Sequence, residues 1–188
     1  MTIFDYVMIL LSVVISLGLA RALETHAQLM KHGKRVRWSP TYLLWLVVLL
    51  FSHIDIWASL WQLHDHARWS AADIGATLLA CGVLFYSAIF ATPDMDGDDE
   101  IDLWAFHMAN RRRYLGALLA YMALGAWLNA TLMSEAFSAS NLTAAAPMFA
   151  ILLAALFVSN RWVQRLMPVL TLVLMVFYFA QYLPAVGS

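Results

Sequence analysis

The sequence predicts an all-α, polytopic transmembrane helical bundle of about six spans, with both termini outside. Three observations predict it. Of 188 residues, 63% are hydrophobic and 12% are charged, whereas soluble domains are about half apolar and about a quarter charged. The apolar residues gather into runs near the ~20 residues that a spanning helix needs. Lys and Arg fall almost entirely in alternate loops, the asymmetry that sets orientation in membranes. A mean hydropathy of +0.73 agrees with the first observation. Together these exclude a disordered chain, a nucleic-acid-binding protein and an ordinary soluble enzyme. They make the lipid bilayer the first expected partner.

One transmembrane domain is expected over 1–188, with spans at about 3–23, 41–63, 71–92, 114–134, 143–160 and 162–183. The first run lacks a cationic start and a small-residue cleavage site, so it reads as a retained span. The fifth is the shortest and is expected to begin near Pro147, because proline suits a first helical turn. Pro168 should kink the sixth span or mark its start. Ten of the eleven Lys and Arg lie on one side: Arg21, Lys31, Lys34, Arg35 and Arg37 around loop one, Arg111, Arg112 and Arg113 in loop three, Arg161 and Arg165 in loop five. Arg68 stands alone on the other. Loops one, three and five are therefore assigned to the cytoplasm. Aromatic residues mark interfaces: Trp38, Tyr42 and Trp45 the inner end of span two, Trp57, Trp61 and Trp69 its outer end, Tyr178 and Tyr182 the outer end of span six. Three spans per half give the topology of an inverted repeat. Only Tyr6 with Leu10-Leu11 and Tyr114 with Leu118-Leu119 align, and chance accounts for that in a chain so rich in Leu.

The most informative polar cluster is Ser52-His53-Ile54-Asp55 in span two, followed by Ser59. A carboxyl at bilayer depth costs roughly 2.5–3.5 kcal/mol and should face protein or water. Ser52, Asp55 and Ser59 share one stripe at spacings of three and four, while His53 lies nearer the Leu49–Trp57 stripe. Two readings compete. Asp55 lines an ion or proton pathway with Ser52, Ser59 and His53, or it is a buried packing group held by a neighbouring helix, with Asn129, Tyr86 and Ser16 as candidate partners. Small-residue stripes (Ser12, Ser16, Gly18 and Ala20; Ala72, Ala76 and Ala80; Gly116 and Ala120) allow close helix packing. Cys81, the single cysteine, reads as a small packing residue and excludes an internal disulfide.

The loops offer weaker signals. Asp94 to Asp102 holds six carboxylates in nine residues, with Asp94, Asp96 and Asp98 as candidate cation ligands. The EF-hand pattern fails, because Gly97 falls at position four and Ala105 at position twelve. A solvated acidic loop, pairing loosely with Arg111, Arg112 and Arg113, is the plainer reading. Ile101, Trp104 and Met108 suggest a short surface helix before span four. His64 and His66, with Asp73 beyond, lack the matched third ligand that a metal site wants. No catalytic or nucleotide-binding motif occurs, and no cofactor is expected. No span carries a lysine.

Phe4-Asp5-Tyr6, the basic first hairpin, Trp57-Ala58-Ser59-Leu60-Trp61, Pro93-Asp94, Asp102-Leu103 and Arg111-Arg112-Arg113-Tyr114 give the chain a resemblance. Over its first two thirds it resembles a loose group of small bacterial six-span inner-membrane proteins without assigned function. The resemblance implies a multi-pass protein of the bacterial inner (plasma) membrane, and neither a substrate nor catalytic residues. The leading expectation is an ion or proton channel or transporter acting as a homo-oligomer through Asp55. A non-catalytic sensor or assembly subunit, recruiting a protein partner through the cytoplasmic loops, is the alternative. An intramembrane enzyme ranks third, since no nucleophile–base or metal constellation is visible.

Overall fold

A computed structural model describes residues 3–61, 63–64, 69–95, 99–132 and 139–182, with 132, 139–144 and 181–182 described by backbone alone. Six α-helices run through the described residues: α1 (Ile3–Lys31), α2 (Pro40–Trp61), α3 (Ala71–Phe90), α4 (Leu103–Leu132), α5 (Ala139–Phe157) and α6 (Arg161–Tyr182). The all-α expectation holds. Four of them, α1, α2, α3 and α6, are long and apolar enough to cross a membrane.

Except for the more enclosed α2, the helices bury one stripe and leave much of their remaining apolar surface exposed, the reverse of a soluble amphipathic helix. On α1 the buried stripe is Phe4, Val7, Leu11, Ile15, Gly18, Ala22, Thr25 and Leu29. Ile9, Val13 and Leu17 point outward and are about half exposed. On α4 the stripe is Leu103, His107, Arg111, Tyr114, Leu118, Tyr121 and Leu128. These spacings of three and four keep one face on a neighbouring helix.

Around the bundle each helix packs on two others in the order α1, α3, α4, α5, α6, α2 and back to α1. In addition α2 touches α3 and α4, so it is the most enclosed element. Half of its most apolar window is buried. Equivalent helices of a repeat should make equivalent contacts. Here α1 packs closely on α3, whereas α4 makes no comparable contact with α6. Tyr6 is 71% exposed and Tyr114 is 0% exposed, so the aligned pair sits in opposite environments and the halves do not repeat.

Two helices outrun their apolar segments. At about 1.5 Å per residue α1 and α4 are each ~45 Å long, against ~30 Å of bilayer hydrocarbon. Arg21–Glu24 and Glu24–Gln28 contacts at one-turn spacing carry α1 past residue 23. The segment Leu103–Tyr114 is not a separate surface helix. No Gly or Pro interrupts it, and it is continuous with α4. Pro147 likewise falls well inside α5, which begins at Ala139, and α6 begins at Arg161 and runs through Pro168.

The ends of α1 and α4 are tied together. Val36-Arg37 (β1) and Ile101-Asp102 (β2) form a two-residue parallel ladder. Asp102 uses one oxygen to accept from the Trp104 and Ala105 backbone N–H groups at 2.9 Å, capping α4. Its other oxygen accepts from Arg37 at 3.2 Å. Arg35 donates to the Asp99 carbonyl at 2.9 Å. The acidic loop therefore pairs with the first basic loop. Arg111 instead turns inward, and Arg112 and Arg113 are exposed. Arg111 reaches Ser159 at 2.6 Å, so the expected loops one, three and five lie at the same end of the bundle.

The aromatic assignments divide. Trp38, Trp57, Trp61 and Tyr178 are exposed, as interface residues should be, but Tyr42 and Trp45 are each 1% exposed and belong to the core. Tyr42 donates to the Ala91 carbonyl at 2.7 Å, satisfying the end of α3. Trp69 packs its ring on Phe4. The side chain of Tyr182 lies outside the described residues.

Candidate functional site

Asp55 sits six residues before the end of α2, ~9 Å of helix rise from Trp61. It lies in the half of the helix that leads to Trp57 and Trp61. Its side chain is half-buried, and its Oδ2 accepts a hydrogen bond from the Tyr121 hydroxyl of α4 at 3.2 Å. Cys81 of α3 and Tyr178 of α6 lie within electrostatic reach of Tyr121. Of these contacts the Asp55–Tyr121 pair is the hydrogen bond, while Cys81 is buried and Tyr178 is exposed. A carboxyl bonded to a phenol can take up and release a proton.

The other members of the expected pathway point elsewhere. His53 is 2% exposed and faces α1. Its Nδ1 lies 2.7 Å from the Leu49 carbonyl, so Nδ1 carries the proton and Nε2 is a bare acceptor. That Nε2 has no partner among the described residues, and the ring edge lies against the Gly18 backbone. There is no room there for a metal or cofactor. Ser52 is buried and donates to the Val48 carbonyl of its own helix at 2.9 Å. Ser59 is half-buried. The partners expected for Asp55 are corrected. Ser16, Tyr86 and Asn129 all lie exposed, because the buried stripes of α1, α3 and α4 pass through Ile15 and Gly18, Leu84 and Ser87, and Tyr121 and Leu128. Tyr121 takes the place assigned to them.

The weaker metal candidates do not converge among the described residues. Asp96, Asp98 and His66 lie outside those residues, and Asp94 is exposed. His64 bonds the Trp61 carbonyl at 3.0 Å and stacks on its ring. Asp73 closes a capping box with Ser70 at the start of α3. No group of three or more His, Cys, Asp or Glu among the described residues could hold a metal ion.

A second polar cluster, absent from the sequence expectations, lies at the end where α4 begins. Its protons can be assigned. The Gln164 amide nitrogen donates to the Ala155 carbonyl at 2.7 Å and the Val158 carbonyl at 2.5 Å, which fixes Oε1 as the acceptor. His107 Nε2, 2.9 Å from that oxygen, must then carry the proton. The bare Nδ1 accepts from the Tyr114 hydroxyl. The Tyr114 carbonyl accepts from Ser87 at 2.8 Å. Helices α3, α4, α5 and α6 are thus locked by one chain of satisfied bonds. Such networks specify an arrangement when complete and are costly when broken.

Burial, helped by the nearby Arg111 charge and opposed by the Gln164 bond, pushes the His107 imidazole down to about 4. The unfolded imidazole titrates near 6.5. The unfolded chain therefore binds the extra proton first, and stability is lost as pH falls from about 6.5 towards 4. The loss is on the order of 3 kcal/mol. His107→Gln removes this titration. Melting in detergent between pH 7.5 and 4.5 should fall more steeply for the wild type than for the variant. Parallel curves would remove His107 from the account.

No protein-family model matches the chain, and neither a curated protein nor a solved structure is matched by it.

Proposed function

We propose that this chain is a multi-pass protein of the bacterial inner membrane that moves protons, or an ion coupled to protons, through exchange at Asp55. The observation carrying this reading is the Asp55–Tyr121 pair. Asp55, an acidic residue within the apolar helix α2, is bonded to a phenol of another helix. An ionisable residue in a spanning segment is by default a functional candidate, with its partner named. Six spans, loops one, three and five in the cytoplasm and a homo-oligomeric state complete the reading. It is supported by the ten-to-one distribution of Lys and Arg. The segment of α4 from Tyr114 onward carries no Asp, Glu, Lys or Arg and so suits a span. The test is flux in liposomes with Asp55→Asn.

A second reading has its own observation. His53 and Ser52 are turned to packing, and the loop-bearing end is knitted by the β1–β2 ladder and Arg111. That suits an assembly or sensor subunit acting through this end. Absence of flux from folded protein would favour it. Orientation is separately testable. A reporter fused after Ser188 should be active as a periplasmic phosphatase and dark as a cytoplasmic fluorescent protein. Strong cytoplasmic fluorescence would contradict the six-span, termini-out arrangement.

A further inference from the structure

Three guanidinium groups surround the turn between α5 and α6, and none of them pairs with a carboxylate among the described residues. Arg111 is 6% exposed. It donates to the Met108 carbonyl and the Ser159 hydroxyl, each at 2.6 Å, and its Nε is buried without a partner. A buried cation with only neutral partners is costly unless a negative charge comes close. Arg161 begins α6 two residues after Ser159, and Arg165 follows one turn later. Both are exposed: Arg161 lies over the Trp104 ring at 5.7 Å, and Arg165 lies over both Trp104 at 6.0 Å and Trp162 at 5.7 Å. The two indoles hold the cations close together without neutralising them.

Beside these arginines, about a quarter turn round α6, runs an outward apolar stripe. Trp162, Leu166, Val169 and Val173 repeat at spacings of four, three and four and are 42–75% exposed. The combination is a concentrated positive charge at the head of a bare hydrocarbon track. It is the complement of a single amphiphile, with an anionic phosphate at one end and an acyl chain at the other. Free inorganic phosphate matches only the first half.

We infer that the surface where α4 and α6 begin is a binding site for an anionic phospholipid, its phosphate held by Arg161 and Arg165 beside Trp104 and its acyl chain along the α6 stripe. Arg111 supplies a third charge from beneath the turn. Basic pockets between helices at the cytoplasmic face commonly hold such headgroups. The site lies at the opposite end of the bundle from Trp61, so it does not depend on Asp55.

The test uses full-length protein in a neutral detergent, titrated with phosphatidylglycerol, phosphatidylcholine or inorganic phosphate. Bound lipid is read by native mass spectrometry, and stability by thermal melting. Phosphatidylglycerol should be retained and should raise the Tm; phosphatidylcholine and phosphate should do neither. In Arg161→Gln/Arg165→Gln retention should weaken by roughly 20- to 30-fold, from about fivefold per surface arginine. Both side chains are exposed, so the lipid-free Tm should hold. Arg112→Gln/Arg113→Gln removes equal charge from exposed positions outside the site and should retain the lipid. Equal loss in both double variants would reduce the effect to diffuse charge and overturn the site. An equal response to phosphatidylcholine would remove the role of the headgroup. An equal response to phosphate alone would assign the arginines to a soluble anion and overturn the lipid.

Discussion

Gly18→Ala is expected to lower the Tm in detergent by roughly 5–10 °C, from an overpacking cost of about 2–3 kcal/mol. A Cβ at this position would lie 2.8 Å from His53 Cδ2 and closer still to Nε2. The neighbour cannot swing aside cheaply. His53 is tethered through Nδ1 to the Leu49 carbonyl at 2.7 Å and is almost fully enclosed. Relief must come from parting α1 and α2, which would also loosen the contacts of Leu11 and Ile15 with the core. His53→Ala removes the obstacle. The cost of Gly18→Ala should be large in the wild type and close to zero in the His53→Ala background, a coupling that a double-mutant cycle reads directly. Equal costs in both backgrounds would place His53 and Gly18 apart.

Gly18 shows what the sequence discloses and what it withholds. The small-residue stripe through Ser12, Ser16, Gly18 and Ala20 predicts close approach, which occurs at Gly18 alone, since Ser16 and Ala20 are exposed. That the approaching group is His53, 35 positions away, leaves no local trace. Hydropathy located the helices well in α2 and α3. It fell short on α1 and α4, because apolar length measures hydrocarbon crossed, while helix length depends on caps and breakers. Tyr121 is hidden in the sequence for a related reason. A tyrosine in an apolar run looks like any core or interface aromatic, and its hydrogen bond joins residues 66 apart. One signal was present. His107, Arg111 and Tyr114 fall at i, i+4 and i+7 on the stripe that continues through Leu118 and Tyr121. Polar residues placed on a helix's buried stripe must be satisfied by something, and that register marks the buried network. Sequence position alone groups Arg111 with its exposed neighbours Arg112 and Arg113.

Asp55→Asn is expected to cut proton flux by at least about tenfold while leaving fold and assembly intact. Asparagine matches aspartate in size. Its carbonyl oxygen can still accept from the Tyr121 hydroxyl, so the link between α2 and α4 survives. What it loses is the ability to bind and release a proton. A packing carboxyl would tolerate this change almost silently, whereas an exchange group would not. Tyr121→Phe provides an independent probe. It keeps the carboxyl but removes its one hydrogen-bond donor among the described residues, so flux should persist with a displaced pH dependence. The direct measurement is proton flux into proteoliposomes at several pH values, with wild type and Asp55→Asn side by side and folding confirmed by melting. The account predicts pH-dependent flux in the wild type and its loss in the variant; equal flux in both, or none in folded wild-type protein, would contradict it.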